Sequence, residues 1–334
     1  MMEIFLYTTP SLRAETKRLE DMLASFAQEY RYHLHAVDIS NSPFLMQVYQ
    51  GKLPSLEIGV FKLGSNVSSA ELEYALSETQ LNEQQTAQNK TNLRKANANV
   101  KFTAWDNLAL WFTQHYLQVI IGLLILIVGL AFLAPVLMET GQIAAAQNLY
   151  ALYSPFCHQL AFRSLFLFGA QPFYPRELAA VSGLVPYGQA TGLSETDFAA
   201  ASAFVGNPQL GYKVAICQRD LAIQSALLLF ALVYAFSHQK IKSVPILLWA
   251  LVGFLPIVLD GGTQLLSQLG WPALAWLAPR ESAPWQRLLT GGLFGFFSAW
   301  FVLPIMRESL YTSRLNLEKK SAIAKQTQAF KVEG

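Results

Sequence analysis

The chain has 334 residues, 53% of them hydrophobic and 14% charged, well under the roughly 25% charge of a soluble domain. With a mean hydropathy of +0.29, this composition points to a membrane protein and excludes disorder over most of the length. The net charge of +2 offers no nucleic-acid surface, and two cysteines, Cys157 and Cys217, exclude a disulfide-rich scaffold or a four-cysteine zinc site.

Met1-Met2-Glu3 carries no basic n-region, so no secretory signal is expected. Ile4-Phe5-Leu6-Tyr7 reads as a buried strand, and Thr8-Thr9-Pro10-Ser11 as a turn. Leu12, Leu19, Met22, Leu23 and Phe26 then recur at helical spacing up to about Tyr30. Tyr32 to Ile39 alternates as a second strand, which puts His33 and His35 on one face. They read there as ordinary strand residues, without a further ligand nearby. A short helix around Phe44–Tyr49 follows, then two hairpin-linked strands over Leu53–Gly59 and Val60–Gly64. Ser68 with Glu71 has capping-box spacing and starts another helix.

That order of elements resembles the thioredoxin fold, in particular the glutaredoxin-like family. Tyr7-Thr8-Thr9-Pro10 and Pro54 carry the resemblance. The family's Cys-x-x-Cys would fall at about Leu12 and Glu15, and residues 1–156 contain no cysteine. Dithiol exchange is therefore excluded in this domain, and a docking or regulatory module is expected.

From Leu81 the composition turns to Gln, Asn, Lys and Ala, a polar linker or stalk. Leu117–Met138 is uncharged and long enough for a ~30 Å hydrocarbon core. Leu221–Gln239, Ser243–Leu259 and Leu288–Met306 make three further spans, the third of the four closing at Asp260-Gly261-Gly262. Leu149–Ala170 reads as interfacial or re-entrant. Lys and Arg cluster before the first span, between the second and third, and after the fourth, which places both termini in the cytoplasm. The expected plan is an α/β thioredoxin-like domain over 1–80, a linker over 81–105, and a helical membrane domain of about four spans over 106–310. Its outer loop covers 139–220, and a basic cytoplasmic tail covers 311–334. The expected location is the bacterial cytoplasmic membrane.

Unusual polar residues gather at the outer ends of the spans: Cys157-His158-Gln159 with Arg163, Cys217-Gln218-Arg219-Asp220, Asp260 with Gln264, and Arg280-Glu281 with Arg287. Ionisable groups at bilayer depth pair or line a cavity. These motifs resemble an uncharacterised family of small polytopic bacterial and archaeal membrane proteins, a domain of unknown function. The family pattern runs Cys-His-Gln, Arg-Ser-Phe, Cys-x-Arg-Cys, Asp-Gly-x-x-Gln, then a Glu-Ser/Asn-x-x-x-Arg segment before a Gly-rich last span. The match covers about residues 150–306, with Asp220 standing where the family has a second cysteine. The resemblance implies a membership and no reaction.

Three readings of the cysteines stand open. A disulfide between Cys157 and Cys217 suits the oxidising outer side. Cys157, His158, Cys217 and Asp220 supply a four-ligand set for zinc or another divalent ion. A redox pair would exchange with a quinone or a partner thiol. Around them lies a polar cluster of Gln159, Arg163, Arg219, Asp260, Gln264, Arg280, Glu281 and Arg287. The expected function is a membrane protein whose outer cluster binds a metal ion or small ligand, with a non-catalytic cytoplasmic module that docks a protein partner. The alternatives are a membrane thiol or quinone oxidoreductase, a metal-dependent hydrolase with Asp260 or Glu281 as general base, and a transporter. A transporter of four spans would need to be a homo-oligomer.

Overall fold

Ile4 and Leu6 alternate with Phe5 and Tyr7, so a strand through them buries one pair on each face. The computed structural model describes residues 2–87, 102–269, 271–274 and 276–332. It divides into two compact units, Met1–Gln114 with Leu310–Gly334, and His115–Ser309. Most of the expected polar linker, residues 88–101, lies outside the described residues.

The first unit runs β1 (Met2–Thr8), α1 (Arg13–Ser25), β2 (Tyr32–Asp38), α2 (Pro43–Val48), β3 (Ser55–Ile58), β4 (Phe61–Leu63) and α3 (Ser69–Ala87). The strands form a mixed sheet in the order β2-β1-β3-β4. β1 and β2 are parallel, joined through α1, while β3 and β4 run antiparallel. Ile4, Leu6, Leu56 and Ile58 pack on Leu19, Leu23, Leu72 and Leu76 of the helices. Tyr7 on the other face packs with Val37, Leu45 and Tyr49. Ser68 accepts from the Glu71 amide at 3.3 Å and the Glu71 carboxylate accepts from the Ser68 amide at 2.9 Å, the reciprocal cap that the spacing predicts.

The end of α11 (Pro284–Val332) belongs to this unit. Lys319 donates to both Glu57 oxygens at 2.9 and 3.0 Å, and Tyr49 donates to Glu57 at 2.8 Å. The Lys319 ammonium lies 5.1 Å over the Tyr7 ring. Burial raises the Glu57 carboxyl, but the Lys319 and Tyr49 hydrogen bonds outweigh it and hold it below the usual glutamate range. Lys319, which the sequence presents only as one of several orienting charges, thus closes a polar contact beside the second core.

Among the described residues four helices are long and apolar enough to cross a membrane: Ala104–Glu139 (α4), Gln218–Phe236 (α8), Ile246–Gln268 and Pro284–Ala324 within α11. The third is composite, with α9 (Ile246–Leu248) and α10 (Leu255–Gln268) joined by a π-helical stretch, Trp249–Phe254. The chain is a multi-pass membrane protein. One sequence expectation is corrected: Asp260-Gly261-Gly262 does not close the third span, because α10 continues to Gln268. Asp260 and Gln264 lie one turn apart and are buried; Arg219 and Arg280 neutralise the Asp260 carboxylate in place, so its charge does not end the helix.

Residues 149–170, expected as interfacial or re-entrant, do not form one continuous helix. α5 (Ile143–Tyr153) ends early, a turn over 154–156 leads into an irregular stretch at 157–160, and Ser164–Leu167 forms a strand, β5. Two short helices, α6 (Tyr187–Thr191) and α7 (Phe198–Ala203), follow. β6 (Gly206–Asn207) and β7 (Gly211–Cys217) then complete a three-stranded sheet in the order β5-β7-β6. The segment expected as a loop is thus an ordered α/β layer with its own core of Phe162, Phe166, Tyr174 and Tyr187.

Gly291 and Gly295 of α11 lie against α8. A Cβ on Gly291 would sit 2.6 Å from the Arg219 carbonyl oxygen, and one on Gly295 would sit 2.3 Å from that of Ile223. Small residues four apart let membrane helices approach closely. Gly292 meets nothing within 4 Å, so only two of the three glycines are needed. Gly295→Ala is expected to destabilise the detergent-solubilised protein by about 1–3 kcal/mol, as overpacking does. Gly292→Ala should gain up to about 1 kcal/mol from helix propensity. Thermal unfolding of both variants checks the pair of signs.

Candidate functional site

β7 ends at Cys217, which is also the N-cap of α8. That junction fixes two of the three residues in the first group, since Asp220 lies in the first turn of α8, where a negative charge meets the positive end of the helix dipole. The third, Cys157, closes the turn after α5, its amide bonded to the Tyr153 carbonyl at 3.0 Å. Pairing of Ser164 with Cys217 across β5 and β7 brings the two segments together. The Cys157 sulfur accepts from the Cys217 amide at 3.3 Å and from the Gln159 amide at 3.5 Å. The Cys217 thiol reaches Asp220 Oδ2 at 3.0 Å.

Both cysteines are free thiols, and one donor atom from each of Cys157, Cys217 and Asp220 lies within 4.8 Å of the others. His158 is exposed and outside this group; its carbonyl accepts from Ser202 at 2.7 Å. The Cys217 thiol pulls Cys157 below the ordinary thiol range. The same contact, burial and the Asp220 charge push Cys217 well above it. The first proton therefore leaves from Cys157. Beside the group opens a cavity of about 430 Å³, lined by Leu126, Ile127, Leu130, Tyr153, Cys157 and Asp220 among others.

Gln159, in the left-handed region at φ 51°, turns away from the thiols. Its side-chain amide donates to the Tyr150 carbonyl at 2.7 Å. Its carbonyl accepts from Lys213 at 2.7 Å, and the Ser202 carbonyl takes a second hydrogen bond from the same ammonium at 2.6 Å. Lys213 is fully buried. Burial lowers it to about 7, against the opposing pull of the Cys157 charge. Nothing in the sequence singled this lysine out; the one available signal was a charge inside the apolar strand Val214-Ala215-Ile216 extends.

The second group is an ion-pair network. Glu281 accepts from Arg163 at 2.9 and 3.1 Å, from Arg176 at 3.3 Å, from Gln264 at 3.0 Å and from Gln268 at 3.1 Å, and also pairs with Arg287. Asp260 pairs with Arg219 and accepts from Arg280 at 2.9 Å and Ser282 at 2.7 Å. Ser282 also contacts Gln264 at 2.7 Å, linking the two carboxylates. Burial raises the Glu281 carboxyl, but the hydrogen bond and charge of Arg163, with Arg287 and Gln268, hold it below the usual glutamate range. A carboxylate so engaged is a poor general base. All of the expected polar residues except Gln159 meet in this network, and Arg176, Gln268 and Ser282 join them.

A profile of the family described as Predicted membrane protein (DUF2085) matches residues 209–301. That segment holds Cys217, Asp220, Asp260 and Glu281 and leaves Cys157 and Arg163 outside it. An uncharacterised protein of Methanocaldococcus jannaschii is 26% identical over 204 residues, covering 59% of this chain and 96% of that protein. No solved structure matches the chain. The membrane part is thus similar to a family of predicted membrane proteins, as the order of its polar motifs implied.

Proposed function

We propose that this multi-pass membrane protein holds a zinc-class divalent ion between Cys157, Cys217 and Asp220. The observation that carries the reading is the convergence of two free thiols and a carboxylate within 4.8 Å. The donor set suits the ion, because thiolate and carboxylate are both zinc ligands and three protein ligands leave a fourth position open. The apolar cavity beside Cys157 and Asp220 supports an apolar or amphipathic ligand at that position. Charge placement supports an outward-facing site, with both termini in the cytoplasm of a bacterial cell. The β2-β1-β3-β4 order, with α1 after β1, supports a thioredoxin-like N-terminal module, non-catalytic because it lacks cysteine, that docks a protein partner.

Metal analysis of the full chain, purified without chelator, tests this reading. Asp220→Ala should lose the ion and His158→Ala should keep it, because the imidazole lies outside the group. Equal metal content in wild type and Asp220→Ala would sink the proposal.

The split protonation of the two thiols favours a second reading, a redox pair. Oxidation to a Cys157–Cys217 disulfide would release two electrons and two protons to a quinone bound in the cavity, giving the quinol. Metal-free protein that reduces a soluble quinone while losing both thiols would favour it over the metal reading.

A further inference from the structure

His33 and His35 sit two apart on β2 and share a face, and the third group they lacked in the sequence comes from β1. The parallel register sets Glu3 opposite His33 and Phe5 opposite His35. The Glu3 carboxylate Oε2 lies 2.6 Å from His35 Nε2 and 3.5 Å from His33 Nδ1. The two imidazoles are 4.4 Å apart between centroids. One donor atom from each of the three residues lies within 4.8 Å of the others. Phe5 stacks on the His35 ring at 4.9 Å and 15°, which sets the ring plane while leaving Nε2 pointed at the carboxylate. Strand β2 is the edge of its sheet, and His33 is 59% exposed in its side chain, so an ion can reach the group from solvent.

We propose that Glu3, His33 and His35 form a separate binding site for a divalent transition ion on the edge of the N-terminal sheet. Two imidazoles and one carboxylate favour zinc, copper(II) or nickel(II) over magnesium or calcium, which prefer oxygen ligands alone. The His35–Glu3 hydrogen bond is what the ion replaces. Three ligands on one side leave the remaining positions to water, so the ion exchanges readily. This inference is independent of the thiolate site, since the two sites share no residue.

The test uses the full chain without a polyhistidine tag, stripped of metal and titrated with copper(II) under electron paramagnetic resonance. Wild type and Cys157→Ser/Cys217→Ser chains should both show a signal with nitrogen hyperfine structure from imidazole. His33→Gln/His35→Gln should lose it, and Glu3→Gln should weaken binding by at least about tenfold. Circular dichroism of these variants should match wild type, which separates loss of ligands from loss of fold. Nitrogen hyperfine structure that persists in His33→Gln/His35→Gln would overturn the proposal, as would copper binding that Glu3→Gln leaves unchanged.

Discussion

Glu281→Gln is expected to remove most of the folded protein from detergent extracts, because it uncovers three guanidinium groups at once. The Glu281 side chain is 2% exposed, and that of Arg287 is 3% exposed. Arg163 and Arg176 converge on the same carboxylate. A neutral amide keeps the shape and some acceptors but leaves the cations facing one another. Breaking a buried pair by removing one partner costs about 3–5 kcal/mol. The whole stability of a domain is about 5–15 kcal/mol, so the loss is a large share of it. On the Asp260 side, Arg280 is 33% exposed, and Arg280→Gln should cost about 1 kcal/mol or less, the range of exposed pairs. Thermal unfolding monitored by size-exclusion chromatography measures both. If Glu281→Gln melts with wild type, the network is not what ties the 280–287 segment to α10.

Cys157→Ser and Cys217→Ser should each weaken zinc binding at the outer site by more than about 100-fold. Loss of a group that only orients a ligand already costs 10–100-fold, and these residues are themselves the ligands. The pH dependence has a definite sign. The Cys157 contact, burial and Asp220 hold the Cys217 proton tightly, and the ion must displace that proton to bind. Affinity should therefore rise with pH until the Cys217 thiol ionises unaided, and protons should be released on binding. Calorimetric titration in two buffers of different ionisation enthalpy reads both quantities. Zinc affinity independent of pH would mean that Cys217 is not a ligand.

The spans were legible because a long uncharged run such as Leu117–Met138 has few alternatives to crossing a membrane. The β-α-β-α-β-β-α order of the first unit was legible too, because strand alternation in Ile4–Tyr7 and helical spacing through Leu19 and Leu23 are local signals. The three-stranded sheet around β7 was not. Its key pairing joins Ser164 to Cys217, a long-range contact that leaves no periodic trace in a four-residue strand. With that sheet went Lys213 and Arg176, whose partners come from distant segments. The site residues were legible as types gathered near span ends, but their grouping was not. Adjacent residues on a turn point apart, so Cys157 joins Cys217 while His158 faces outward and Gln159 bonds to Tyr150. Asp260 misled for a related reason: a charge followed by two glycines reads as a helix end, and only Arg219, Arg280 and Ser282 explain why the helix goes on.

Cobalt(II) substitution tests the outer centre most directly, because thiolate ligation gives an intense sulfur-to-metal charge-transfer absorption that carboxylates and imidazoles do not. Full-length protein loaded with cobalt should show that absorption. It should persist in His158→Ala and in His33→Gln/His35→Gln, and disappear in Cys157→Ser and Cys217→Ser. Cobalt-loaded protein without the band, with both thiols still reacting freely with a thiol reagent, would contradict a metal centre at Cys157 and Cys217.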